Sequence, residues 1–185
     1  MSLIKTTALI LKTTNFFEYD KRCDCFSPSL GKVTCLAKYI TKSKKKSWAL
    51  EPLSIVNLTL FKGKSFYIIN QYSVVEYYDV IRSSFNLIQY GLFYLNIIKN
   101  TIHEDQENYA LFNLIKSILN QLNSTQPLNQ TTINFLLSYI KIEGLEPHNS
   151  HTLSIEKAHE IIINYLGKHI PFPIQLDELT QIPVK

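Results

Sequence analysis

Glycine and cysteine are scarce in this chain, with five and three among 185 residues. A phosphate loop or a dinucleotide fingerprint needs glycines grouped where the backbone approaches a ligand. Neither motif is present, nor is a nucleophile elbow or a His-Glu-x-x-His pair. Apart from Gly91, the few glycines fall at turns and helix ends. Cys23, Cys25 and Cys35 have neither an even count nor a Cys-x-x-Cys spacing, which argues against a disulfide framework and a zinc ribbon and points to a reducing, cytoplasmic setting. No apolar run is long enough to cross a bilayer, and the run from Ala8 to Leu11, hemmed by Lys5 and Lys12, is too short for a signal peptide. On these grounds no cofactor and no membrane are expected.

Charge is present but unevenly placed. Residues 1–80 hold twelve Lys and Arg against six Asp and Glu, and residues 81–185 hold seven against nine. The halves therefore carry +6 and −2, so a polyanionic partner would sit on the first half. The most concentrated stretch runs from Lys38 to Trp48 and contains Lys38, Lys42, Lys44, Lys45 and Lys46, bracketed by Tyr39 and Trp48. Five ammonium groups so close together repel one another and do not pack into a core, which places them in a surface loop. Cations that neutralise phosphates beside rings on which bases stack are the physical recipe for single-stranded nucleic acid binding. A lysine run between two strands also serves as a plain solvated loop.

Taken in order, the chain changes period once. Leu3 to Thr13 fits a strand buried on most of both faces, followed by a loop from Asn15 to Tyr19. Asp20 to Phe26 alternates as a second strand, with Lys21, Cys23 and Cys25 on one face and Arg22, Asp24 and Phe26 on the other. Ser27 to Gly31 is a turn, and Lys32 to Tyr39 a third strand. The three thiols fall where small apolar residues pack. Ile55 to Phe61 and Ser65 to Val75 form a hairpin through Lys62-Gly63-Lys64, with Gly63 able to take a left-handed position. Five such strands predict a small antiparallel barrel of the oligonucleotide-binding (OB) type over residues 1–80.

Residues 81–185 read as an α-helical domain. Helical spacing covers Ser83 to Asn100, Asn108 to Leu122, Thr131 to Glu143 and a stretch capped by Ser154 through Leu166. Gly144 and Gly167 end the last two. Glu104-Asp105 and Asp177-Glu178 lie in connectors, where carboxylates are usually solvated, so no catalytic pair is expected. His148, His151 and His159 follow one another without a cysteine nearby, which favours a surface loop over a zinc site.

Several stretches recur in order: Lys5 to Lys12; Glu18-Tyr19-Asp20-Lys21; Phe26-Ser27 to Leu30-Gly31-Lys32; Leu36-Ala37-Lys38; and Lys42-Ser43-Lys44. They continue through Leu50-Glu51-Pro52-Leu53, Leu60-Phe61-Lys62-Gly63 and Val75-Glu76 to Leu136-Leu137 and Glu143-Gly144-Leu145-Glu146-Pro147. Their order and spacing resemble the bacterial recombination mediator family RecO. The resemblance covers most of the first domain and patches of the second. Departures are Phe17 and Tyr39 where the family often has glycine, and no counterpart of the four zinc-ligand cysteines that many members carry after the segment matching Leu145 to Pro147. The chain is also short for the family, so helices of the second domain are expected to be lost.

The resemblance implies an OB barrel followed by a helical protein-interaction domain, and no bond-breaking activity. It further implies binding of single- and double-stranded DNA, annealing of complementary strands, and help in replacing single-strand-binding protein with the RecA recombinase, together with RecR. The family's helical domain contacts the acidic, apolar C-terminal tail of single-strand-binding protein. On this chain, Lys38, Lys42, Lys44, Lys45 and Lys46 are the expected phosphate contacts, with Arg22, Lys62 and Lys64 secondary if the barrel brings them to one face. Tyr39 or Trp48 would stack on a base, the alternative for Trp48 being an anchor against the barrel. Two other classes stay open: a reduced OB scaffold without nucleic-acid binding, and an RNA-binding module.

Overall fold

The computed structural model describes residues 3–40, 48–124, 127–145 and 154–171. Five strands come first, β1 (Leu3–Asn15), β2 (Lys21–Ser27), β3 (Gly31–Ala37), β4 (Ile55–Lys62) and β5 (Tyr67–Glu76), with a 3-10 turn at Trp48–Leu50. The helices are α1 (Asp79–Ser83), α2 (Phe85–Thr101), α3 (Tyr109–Leu122), α4 (Leu128–Ile142) and α5 (Ile155–Leu166). The chain divides into two compact units, Met1–Asp79 with Ile102–Phe112, and Val80–Thr101 with Asn113–Lys185.

In the first unit the strands close into a barrel in the order β1-β2-β3-β5-β4, which is the OB-type arrangement that the strand pattern predicts. β1 makes closure possible because it serves two neighbours. Leu3 to Leu9 pair with β4, and Leu9 to Asn15 pair with β2. The register slips between Ile10 and Lys12, so Leu11 is a bulge that bends the strand from one partner toward the other. β3 and β5 meet in parallel over Cys35 and Leu36 against Tyr67 and Ile68. β1 is therefore less covered than its composition suggests, buried only from Ala8 to Leu11.

Inward-facing positions alternate along each strand and fill the barrel with Ala8, Ile10, Val33, Val56, Leu58, Leu60 and the three thiols. Cys23 sits directly opposite Cys35 across β2 and β3, and all three cysteines are free and buried. Burial pushes the Cys23 thiol up to about 12. A hydrogen bond to Cys35 and burial together hold the Cys25 thiol well above its ordinary range.

Phe26 breaks the expected alternation. Its strand face carries Arg22 and Asp24 outward, yet Phe26 is fully buried, with its ring edge-on to Phe112 at 5.5 Å. The stretch from His103 to Glu107, acidic and without periodicity, does more than connect two helices. Lys32 N donates to His103 O at 2.9 Å, Asn108 N donates to Pro28 O at 2.9 Å, and Gly31 bridges to Glu104. Gly31 lies at φ +67°, and a Cβ there would stand 2.4 Å from His103 O and 2.6 Å from Gln106 O. Both the left-handed backbone and the close approach exclude a side chain.

The helical unit is held by aromatic packing with paired hydroxyls. Tyr94 and Phe135 pack with tilted rings, centroids 4.6 Å apart, the Tyr94 hydroxyl meets Thr132 Oγ1 at 2.7 Å, and the Tyr139 hydroxyl meets Thr101 Oγ1 at 2.6 Å. Ser154 accepts from Lys157 N, and Gly167 at φ +60° ends α5, as the sequence pattern predicts. Gly144 at φ +66° follows α4 in the same role. α4 starts three residues earlier than Thr131, because Pro127 is itself the N-cap and accepts from Thr131 N through its carbonyl. Proline needs no amide partner there.

Two outcomes follow. The thiolate is the reacting species, and burial keeps the Cys23 thiol protonated at pH 8. A thiol reagent is therefore expected to label none of the three cysteines in the native protein and all three once denaturant unfolds it; prompt native labelling would contradict the inward placement. Gly31→Ala is expected to cost about 2–4 kcal/mol and to speed hydrogen exchange at the Lys32 and Asn108 amides, measured by denaturant melts and amide exchange. Unchanged exchange there would mean that the segment Ile102–Phe112 does not depend on this glycine.

Candidate nucleic-acid interface

On the barrel's outer surface, period-two alternation turns Arg22 and Asp24 of β2 outward beside Lys32 and Thr34 of β3. The β4–β5 hairpin brings Lys62, Lys64 and Phe66 to the same place. Arg22, Lys32, Thr34, Lys62, Lys64 and Phe66, together with Glu104 and Asp105, line a groove of about 310 Å³. OB barrels bind oligonucleotides and oligosaccharides on the face of strands 2 and 3, flanked by the loops after β1 and β4, and the groove occupies that position.

The hairpin differs from the expected left-handed glycine turn. Gly63 is absent from the positive-φ positions. It is needed because its N–H donates to Phe66 O at 3.0 Å, and a Cβ would meet that oxygen at 2.4 Å. The tight return is what lets Phe66 fold back beside the lysines. Arg22 is held from two sides, by Asp24 at 3.5 Å and by the Phe66 ring, whose centroid lies 5.5 Å from the guanidinium carbon. Part of its charge is thereby spent on Asp24. Among the described residues, Lys32, Lys62 and Lys64 make no ion pair, and Lys62 and Lys64 are exposed. Lys21, by contrast, is paired with Glu51.

The structure thus brings Arg22, Lys62 and Lys64 together, and adds Lys32, which the sequence reading passed over. Its signal was available: Lys32 shares the outward parity of Thr34 on a strand that pairs with β2. Lys42, Lys44, Lys45 and Lys46 lie outside the described residues. Lys38 is exposed just past the end of β3. Tyr39 is 64% exposed and lies at φ +55°, with its N–H donating to Asp20 Oδ1 at 2.8 Å. A left-handed tyrosine costs about 1–2 kcal/mol, which gives a physical reason for glycine to be favoured at this point. Trp48 is 42% exposed and edge-on to Tyr77 at 4.6 Å. It also lines a second groove, of about 510 Å³, along Asn70 to Val74 of β5. The indole is therefore both held against the barrel and open on one side.

His148 and His151 lie outside the described residues. His159 lies on α5 rather than in the surface loop expected for it; it packs on Phe93 with centroids 5.8 Å apart, and its Nε2 is 3.1 Å from Ile170 O. Burial lowers its pKa, which keeps the ring neutral at pH 7. Among the described residues no group of His, Cys, Asp and Glu could hold a metal, and no helix is long and apolar enough to cross a membrane.

Comparison with known proteins places this geometry in a family. The family model described as "Recombination protein O N terminal" matches residues 1–78. The chain is 29% identical over 154 residues to DNA repair protein RecO of Alkaliphilus metalliredigens, covering 82% of this chain and 63% of that protein. It is 32% identical over 146 residues to DNA repair protein RecO of Clostridium novyi, covering 78% and 57%. With DNA repair protein RecO of Dehalococcoides mccartyi strain CBDB1 the identity is 30% over 166 residues, covering 87% and 64%. The chain thus spans about three fifths of the length of these curated relatives. Through the match of its barrel, and through relatives whose similarity runs on into its helices, the chain belongs to the RecO family.

Proposed function

We propose that this chain is a non-catalytic DNA-binding protein of recombinational repair. It holds single- and double-stranded DNA against the barrel, brings complementary strands together, and assists RecA in replacing single-strand-binding protein, with RecR as a partner. The observation that carries this reading is the groove that gathers Arg22, Lys32, Lys62 and Lys64 on the β2–β3 face. Relatives that bear the name DNA repair protein RecO support the repair role. Annealing needs no bond chemistry. A cationic surface that screens two phosphate backbones from each other raises the rate at which complementary strands meet productively.

The lysine run from Lys38 to Lys46 belongs to the same reading. Lys38, Lys42, Lys44, Lys45 and Lys46 supply the principal phosphate contacts and Arg22, Lys62 and Lys64 the secondary ones, with Tyr39 or Trp48 stacking on a base. The helical unit is a docking module for the acidic, apolar tail of single-strand-binding protein. In support, α2 exposes Phe85 at 77% and Leu92 at 44%, seven residues apart and so on one face.

With about five phosphates neutralised, single-strand affinity should fall with salt at a log–log slope of roughly −3.5, and changing Lys44, Lys45 and Lys46 to Ala should flatten it by about two units. Fluorescence anisotropy on labelled DNA and RNA over a salt series reads both. Salt-insensitive binding would refute the phosphate contacts, tighter RNA binding would favour the RNA module, and no binding to either would leave the scaffold. A resin carrying the tail peptide is expected to retain the protein and to lose it when Phe85 and Leu92 are changed to Ala; no retention of the unaltered protein removes the docking role.

A further inference from the structure

Cations alone give no preference for a single strand over a duplex, since both present phosphates and the duplex presents them more densely. The barrel carries a second feature beside them. Phe17, in the loop between β1 and β2, is 74% exposed and so contributes little to any core. It is not an isolated surface ring. Phe17 meets Phe16 edge-on at 4.6 Å, and Phe16 meets Phe66 edge-on at 5.9 Å. Phe66 in turn lines the groove and carries the Arg22 guanidinium 5.5 Å from its centroid. Three rings therefore run from the solvent into the cationic groove, in contact at each step.

We propose that Phe17, backed by Phe16 and Phe66, is a base-stacking subsite that makes this barrel prefer single-stranded nucleic acid to duplex. The proposal rests on the nucleic-acid reading above and adds its strand selectivity. In a duplex each base already has both faces covered by its neighbours; an unpaired base can turn out and lay a face on a ring. Edge-on packing fixes the orientation of Phe17 before any strand arrives, so little ordering cost remains at binding. Charge sets where the backbone goes. Glu104 and Asp105 line the groove too and repel phosphate, which leaves the Lys62–Phe66 hairpin, where Lys62 and Lys64 face solvent, as the side a backbone follows. Rings and cations then have separable signatures: the rings govern the preference between strands, and the cations govern the dependence on salt.

The test uses the whole chain and one labelled oligonucleotide of mixed sequence, presented alone and annealed to its complement, in anisotropy titrations at several salt concentrations. Phe17→Ala is expected to weaken single-strand binding about tenfold, to change duplex binding by about twofold at most, and to leave the salt slope in place. Phe17→Trp should restore single-strand binding. Phe17 is exposed, so both variants are expected to melt like the unaltered protein, and a melt checks that. If the unaltered protein binds the single strand with a clear salt slope but Phe17→Ala binds it equally tightly, the subsite is refuted and the rings belong to a protein contact. If the unaltered protein binds neither strand, the nucleic-acid reading fails first and the subsite with it.

Discussion

Like charges on a small surface push apart, at a cost on the order of half a kcal/mol for each pair several ångströms apart in water, and the closed barrel resists that push. Arg22 on β2, Lys32 on β3, Lys62 at the end of β4 and Lys64 just beyond it reach one groove because their strands are tied into a single ring of hydrogen bonds. No short peptide could hold four cations there. The ring in turn depends on β1, whose bulge at Leu11 lets one strand pair with β4 along its first half and β2 along its second. Straightening that bulge would remove a seam, and the groove would lose its walls.

What fills the barrel explains why its surface is free for binding. Inward residues, among them Cys23 and Cys25 with thiol pKa values raised by burial, pack the centre. The cations are left outside with water. Gly31 and the segment Ile102–Phe112 extend this logic to one end of the barrel: backbone hydrogen bonds from Lys32 and Asn108 tie the segment down, and Phe112 covers Phe26. The same segment carries Glu104 and Asp105 to the groove, so an element that covers the barrel also shapes the potential at its binding face.

Much of this was legible in the residues. Alternation along β2 and β3 placed Cys23, Cys25 and Cys35 inside and Arg22 outside, and the caps Ser154, Gly144 and Gly167 marked helix ends, because each signal is local and carried by side-chain chemistry. What escaped was non-local or carried by the backbone. His103 to Glu107 has no periodicity, and its attachment to Gly31, Lys32 and Pro28 uses main-chain groups that any sequence supplies. Phe26 shares a strand face with Arg22 and Asp24, and nothing local marks it as covered, since its cover comes from 86 positions along, at Phe112. Phe16, Phe17 and Phe66 belong to two loops that meet only once the barrel closes, so their contact had no trace in spacing. Gly63 was recognised as a turn residue but for the wrong requirement, a positive φ where the need is room for the Phe66 carbonyl.

The central claim is that a polyphosphate strand lies on the β2–β3 face and its flanking loops. Amide hydrogen exchange read by mass spectrometry, with and without saturating single-stranded DNA, tests it most directly. The account predicts slowed exchange in β2, in β3, in the loop from Phe16 to Asp20, in Lys62–Phe66 and across residues 38–48, with the helices unchanged. Slowed exchange confined to the helical unit, with the barrel unaffected, would contradict it.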